Sequence, residues 1–335
     1  ELLRIAAADL LGRLDVREVG EALTDVTAAT LAAGLAAATA EVERERGGPL
    51  PVRFAVVAMG RLGGHEQGYG SDADVLFVVD SAEVSESEAS AIGHAVAGEL
   101  RRLLAVPGPD PPLEVDADLR PEGRRGPLVR TLASYGAYYD RWSSIWEAQA
   151  LLRAEPIAGD AALGERFRAL VDGVRWPAGG IDAAAVREIR RIKARVEAER
   201  LPRGADPATH TKLGRGGLAD VEWSVQLLQL RHAHAVPALR TTRTLAALRG
   251  AAAAGLLAPD DAAALEAAWV LASRVRNGIV LSRGRPADSF PSDVRALRAV
   301  ARAVGYPPER SSQLLEDYRR ATRRARAVVE RVFYG

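Results

Sequence analysis

The sequence predicts a predominantly helical α+β chain in which a small mixed sheet is followed by a helical C-terminal bundle. Three observations predict it. Phe54 to Met59 and Val75 to Val79 are short apolar, β-branched runs with the length and composition of buried strands. Leu113 to Leu119 alternates apolar and acidic residues, as a strand with one charged face does. From Thr131 onward apolar residues recur at helical spacing, with Gly and Pro breakers between the runs.

Residues 1 to 46 carry Ala, Leu and Val at helical intervals and end at the breaker Gly47-Gly48-Pro49. After the second strand, Ser85 and Glu88 are spaced as a capping box and start a helix that runs to Leu104. Pro107 to Pro112 is a turn-rich break before the third strand. Helices are then expected over 131–154, 160–174, 182–201, 217–234, 241–255, 259–282, 292–304 and 307–333. The implied organisation is a helical lead-in over 1–48, a sheet-bearing core over 49–156 and a helical bundle over 157–335.

Of the 335 residues 48% are apolar and 27% charged, which suits a globular chain with a real core. The formal net charge of +1 provides no global field to attract nucleic acid or a membrane, so neither is expected as a partner. Basic stretches such as Arg187 to Arg203 and Arg319 to Arg331 alternate with apolar residues at helical spacing and read as solvated helix faces. Cysteine is absent, which excludes disulfides, thiolate metal sites and cysteine nucleophiles; a cytoplasmic location is compatible with this and is expected. Apolar runs such as Ala251 to Ala254 fall short of the ~20 residues that cross a bilayer. The single methionine is Met59, so the sequence reads as a segment of something longer.

The chemistry concentrates between Met59 and Phe77. Asp72 and Asp74 stand two apart at the head of an apolar strand, so both side chains leave the same face. Carboxylates held side by side repel, and a hard cation such as Mg²⁺ (or Mn²⁺) relieves them while sharing its shell with substrate phosphates. A two-metal site with ions ~3.5–4 Å apart usually needs a third carboxylate. Glu114, Asp116 and Asp118 share a face of the third strand, and Asp116 is the residue assigned to the site. Glycines at 60, 63, 64, 68 and 70 precede the carboxylates and allow backbone amides to approach a polyphosphate. Ser71 adds a hydroxyl donor and Arg61 a positive charge. The Gly-Lys-Ser/Thr ending of a Walker loop is missing, as is the glycine spacing of a dinucleotide fold. Exposed acidic pairs at strand ends are also ordinary turn residues, and glycine-rich loops are common. In order, however, the glycine turn, the Asp-x-Asp and the later Asp match the nucleotidyltransferase pattern, with its small mixed sheet.

These residues carry a resemblance to a known family. Ala58-Met59-Gly60-Arg61-Leu62-Gly63-Gly64 through Tyr69-Gly70-Ser71-Asp72-Ala73-Asp74 resembles the signature of the glutamine synthetase adenylyltransferases, two-headed bacterial enzymes. Val115 to Gly123, Trp146 to Ala154 and Lys212 to Trp223 resemble three further blocks of that family, and the last leads into a helix carrying Gln226 and Gln229. The resemblance implies ATP as substrate and glutamine synthetase as the protein partner, with a PII-type nitrogen-signalling protein as a second candidate partner. It implies two possible halves: one attaches AMP from ATP to a tyrosine hydroxyl, the other removes it by phosphorolysis. The Gly-Tyr-Gly-Ser-Asp form looks more like the attaching half. A regulatory module that binds nucleotide without turnover is the non-enzymatic alternative.

On this reading Asp72, Asp74 and Asp116 are the catalytic and metal-holding residues, and Gly60, Arg61, Gly63, Gly64, Ser71 and Lys212 contact the nucleotide. Lys212, ahead of Gly216-Gly217 and a helix, could seat phosphate at that helix N-terminus. Glu147, Gln149 and Arg153 stay open between a buried polar clamp and a nucleotide contact. Asp220 and Glu222 read as partners of the helix dipole more than as ligands. The histidines at 65, 94, 210, 232 and 234 lack zinc-site spacing. The tryptophans at 142, 146, 223 and 269 are assigned to the core.

Overall fold

Two apolar strands set the architecture, because both of their faces must meet helices. The structure, a computed structural model, describes residues 1–108 and 111–335. The turn expected over Pro107 to Pro112 therefore falls partly outside the described residues, at 109 and 110. The first part of the chain runs α1 (Leu2–Leu10), α2 (Val16–Arg46), β1 (Arg53–Ala58), α3 (Gly60–Gly63), β2 (Ala73–Asp80), α4 (Glu86–Leu104), β3 (Val115–Asp116), β4 (Val129–Thr131), α5 (Leu132–Trp142), α6 (Ile145–Leu151), β5 (Glu155–Gly159) and α7 (Ala161–Arg175). The rest is helical: α8 (Ala183–Arg200), α9 (Leu218–His232), α10 (Thr244–Ala253), α11 (Pro259–Arg283), α12 (Val294–Ala303) and α13 (Ser311–Val329). Two compact units result, one of residues 24–66 and 72–177, the other of residues 1–23, 67–71 and 178–335.

The first unit is built on the sheet. β1 pairs antiparallel with β2, from Arg53 opposite Asp80 to Ala58 opposite Val75, and β5 pairs antiparallel on the other edge of β1. β3 and β4 both run parallel to β2 and share its second edge. Alternate residues face opposite layers. Phe54, Val56, Val75, Phe77 and Val79 pack with Leu31 and Leu35 of α2 and with Val96 and Leu100 of α4. Ala55, Val57, Leu76 and Val78 pack with Tyr135 and Tyr139 of α5 and with Leu163 and Phe167 of α7. Both faces are buried, so the strands read as continuous apolar runs. Ser85 caps α4 by accepting the Glu88 N–H at 3.2 Å.

Several expectations are corrected. The third strand is only Val115–Asp116, because the chain turns at once: the Asp118 N–H donates to Asp116 Oδ1 (2.7 Å), and the Arg120 guanidinium donates to the carbonyls of Ala117 (2.8 Å) and Gly126 (3.0 Å). β4 and β5 are additional strands, and β5 holds Pro156 and Gly159, which an edge position tolerates. The helix expected over 131–154 breaks at Ser143-Ser144. There the Ser144 N–H (2.9 Å) and hydroxyl (2.8 Å) both donate to the Glu147 carboxylate. The break also removes two tryptophans from the core: Trp142 is 70% exposed and Trp146 37%. Trp269 is buried as expected, while Trp223 is half-buried and meets Phe333 edge-on at 6.5 Å. α2 has the length and composition to cross a membrane, although no apolar run in it is long. Its residues Leu31, Leu35, Ala38 and Val42 belong to the sheet core.

In the second unit α9, α11 and α13 pack together around the fully buried Trp269 and Tyr318. A polar knot ties α8, α9 and α13. Lys193 on α8 is buried and bonds both Asp220 on α9 and Glu197. Asp220 also accepts from Arg326 of α13 (2.9 Å) and from the Gly216 N–H (2.7 Å). Being third in α9, it both caps the first turn and complements the helix dipole.

Two stability changes are expected. Phe77→Ala removes a fully buried ring from the sheet core and should cost about 3–5 kcal/mol in urea unfolding. Burial would raise the Asp220 carboxyl, but the Lys193 ammonium and the hydrogen bonds from Lys193, Gly216 and Arg326 hold it below the ordinary carboxylate value. Its contribution is therefore complete above the unfolded-state pKa of about 3.9 and is lost as pH falls through the lower folded value. Asp220→Asn should destabilise by about 3 kcal/mol at pH 7 and by less near pH 3, where the unfolded carboxyl is protonated. An equal loss at both pH values would contradict this assignment.

Candidate active site

The strand period and one parallel pairing assemble the acidic cluster. Asp72 immediately precedes β2 and Asp74 is its second residue, so the two side chains share a face. β3 lies parallel to this end of β2 with Asp116 opposite Asp74, and the Ala73 N–H donates to the Glu114 carbonyl at 2.8 Å. The carboxylates of Asp72, Asp74 and Asp116 each offer an oxygen, and these oxygens lie within 4.8 Å of one another. Asp72 is exposed, and the other two are half-buried. Asp116 is steadied by the Asp118 N–H. The Asp118 carboxylate is engaged elsewhere, by Arg124 at 2.5 Å and Arg120 at 3.5 Å. Among the described residues the cluster contains carboxylates alone, and an all-oxygen donor set of charge −3 suits a hard divalent cation such as Mg²⁺.

The glycine turn is packed against this cluster. The Met59 N–H donates to the Asp74 carbonyl at 2.8 Å. Gly60 follows with φ +53°, and a Cβ there would sit 2.3 Å from Asp74 Oδ2. Only glycine leaves room for that carboxylate in that conformation. A Cβ on Gly63 would lie 1.8 Å from the Arg153 carbonyl, so this glycine serves the close approach of two backbone segments. Gly64 ends the short α3. The Arg61 guanidinium donates to the Glu66 carbonyl (2.7 Å), and the Glu66 carboxylate pairs with Arg153 at 2.9 Å; both of those side chains are buried. Ser71 and Lys212 belong to the helical unit. Ser71 Oγ accepts the Gly68 N–H (3.1 Å). Lys212 is exposed, and its carbonyl accepts the Ala219 N–H (2.9 Å) in the first turn of α9.

The polar helix residues left open by the sequence have protein partners. Glu147 accepts from Ser144 and from the Tyr138 hydroxyl (2.8 Å), a clamp between α6 and α5. Burial and the bond to Glu147 push the Tyr138 hydroxyl up to about 12. Arg153 pairs with Glu66, a residue that sequence reasoning did not single out. The available signal was a carboxylate inside a glycine turn flanked by strands, a setting in which an acidic side chain needs a buried cation.

A family model described as glutamate-ammonia ligase adenylyltransferase matches residues 1–170, and one described as GlnD PII-uridylyltransferase matches residues 190–334. The chain is similar to proteins named bifunctional glutamine synthetase adenylyltransferase/adenylyl-removing enzyme. It is 60% identical to that of Streptomyces avermitilis over 349 residues, covering 100% of the chain and 35% of the relative. It is 59% identical to that of Nocardia farcinica, covering 99% of the chain and 33% of the relative. With the protein of Mycobacterium avium the identity is 57%, covering 99% and 34%. The chain thus spans about a third of the length of these relatives. The first of the two matches takes in α1 to α6, the glycine turn and all three clustered carboxylates, and the chain belongs to the glutamate-ammonia ligase adenylyltransferase family.

Proposed function

We propose that the chain is a metal-dependent nucleotidyltransferase that moves AMP from ATP to a tyrosine hydroxyl of glutamine synthetase. The observation that carries this reading is the approach of three carboxylates to within 4.8 Å beside a glycine turn. Asp72, Asp74 and Asp116 hold the cation, Mg²⁺ or Mn²⁺. When bound, the cation neutralises charge on the α-phosphate and the departing pyrophosphate. The acceptor oxygen attacks the α-phosphorus, the bond to pyrophosphate breaks, and Asp116 is the candidate to take the hydroxyl proton. Gly60, Arg61, Gly63 and Gly64 of the glycine turn are the candidate contact surface for the triphosphate. The match of residues 190–334 to the uridylyltransferase model supports a PII-type protein as regulatory partner. The relatives' name also includes adenylyl removal. In that direction phosphate is the acceptor and ADP the product, with the same carboxylates in use.

The test is transfer of label from α-labelled ATP to unmodified glutamine synthetase, run beside release of ADP from the AMP-modified protein with phosphate. Label on the synthetase is expected. Release of ADP alone would assign the opposite direction, and silence in both would overturn the reading. Asp72→Asn/Asp74→Asn should lower transfer by about 10³-fold or more with the fold intact. Thermal unfolding supplies an independent check. Asp74→Asn should lose the Mg²⁺-dependent rise in melting temperature that the parent protein shows.

A further inference from the structure

Strand pairing does not set the course of the chain beyond Asp116, because β3 ends there. The loop that follows, 117–126, contains one turn of 3₁₀ helix, Gly123–Arg125, and two successive residues with left-handed backbone, Glu122 (φ 64°) and Gly123 (φ 57°). Its centre is filled by Arg120, whose side chain is only 11% exposed. The guanidinium donates from Nη1 to the Ala117 carbonyl (2.8 Å), from Nε to the Gly126 carbonyl (3.0 Å) and from Nη2 to the Arg124 carbonyl (3.2 Å). A planar fork of N–H groups can serve three carbonyls that lie in different directions. An ammonium, a compact charge on a flexible stem, does not fix the same three.

The Ala117 carbonyl and the Asp118 N–H belong to one peptide group. That group is planar, so its two ends turn together. Arg120 holds the carbonyl end, and the N–H end donates to Asp116 Oδ1 at 2.7 Å. A hydrogen bond accepted by the carbonyl also polarises the N–H across the group and strengthens its bond to the carboxylate. All of these residues lie within the sheet-bearing unit.

We propose that Arg120 is a positioning residue of the cation site, setting the direction of the Asp116 carboxylate through the Ala117–Asp118 peptide. The proposal rests on the reading that Asp72, Asp74 and Asp116 hold a divalent cation. Groups that hydrogen-bond a ligating carboxylate are worth about 10–100-fold in metal affinity. Arg124 serves as a contrast. Its pair with Asp118 (2.5 Å) joins two side chains, and its own side chain is 85% exposed, so it does little to fix the peptide.

The test is Mn²⁺ binding to the whole chain carrying Arg120→Lys, after thermal unfolding has verified the fold. Lysine keeps the charge, so a loss reports geometry. Mn²⁺ should bind about 10-fold more weakly, whereas Arg124→Ala should stay within about twofold of the parent. A double-mutant cycle with Asp116→Asn separates positioning from a general structural role. If Arg120 acts through Asp116, adding Arg120→Lys to Asp116→Asn weakens Mn²⁺ by less than about twofold further. Losses that multiply in the double variant, or an unchanged affinity in Arg120→Lys, overturn the proposal and leave the cation site standing. If Arg120→Lys does not fold, Arg120→Gln, which keeps an amide donor for one carbonyl, takes its place in the same cycle. If Asp116→Asn alone binds Mn²⁺ as the parent does, the cation site itself falls and the role of Arg120 with it.

Discussion

Mutual repulsion of three carboxylates is the constraint around which the sheet unit is arranged. Oxygens of Asp72, Asp74 and Asp116 lie within 4.8 Å of one another, and like charges held that close repel. A flexible strand end would relax by swinging the side chains apart. Here β2 is paired on both edges, by β1 on one and by β3 and β4 on the other, and its apolar residues are buried on both faces. The direction in which Asp74 points is therefore fixed by the hydrophobic core beneath it, and parallel pairing with β3 transfers that direction to Asp116. Burial supplies the rigidity, and the acidic end of the strand uses it.

The supporting turn makes sense in the same terms. Gly60 admits the Asp74 carboxylate, Gly63 admits the Arg153 carbonyl, and the buried Glu66–Arg153 pair fastens the turn to the segment after α6. Breaking such a pair from one side costs several kcal/mol, because a buried charge is left uncompensated. The described non-glycine residues with left-handed backbone, His65 and Glu122, both belong to segments adjoining the acidic cluster in sequence. Each stores on the order of 1–3 kcal/mol of strain, the kind of local cost that persists where surrounding structure holds a functional geometry in place.

What could be read from the sequence follows from how strongly each feature depends on local pattern. β1 and β2 are legible because burial on two faces writes five or more apolar residues in a row. β4 and β5 were not: one is three residues long, and the other carries Pro156 and Gly159, so edge pairing decided them and propensity did not. The Ser143-Ser144 break escaped because the residues on either side keep helical spacing, and the capping by Glu147 that ends one helix and starts the next is visible only in three dimensions. The same helical spacing places Trp142 and Trp146 in the expected core, and the break turns them out of it. Periodicity places Glu114, Asp116 and Asp118 on one face and leaves all three equivalent; the arginines that occupy Asp118 come from a loop whose course no periodicity reveals. Glu66 was overlooked for the same reason, since its partner lies 87 residues away.

The most direct test is Mn²⁺ binding to the chain, followed by electron paramagnetic resonance with a non-hydrolysable ATP analogue present. If Asp72, Asp74 and Asp116 form one cation site, Asp116→Asn should weaken Mn²⁺ by about 10-fold or more while Asp118→Asn, whose carboxylate is held by arginines, leaves it within about twofold. Equal affinities for the parent chain and Asp116→Asn would contradict the site.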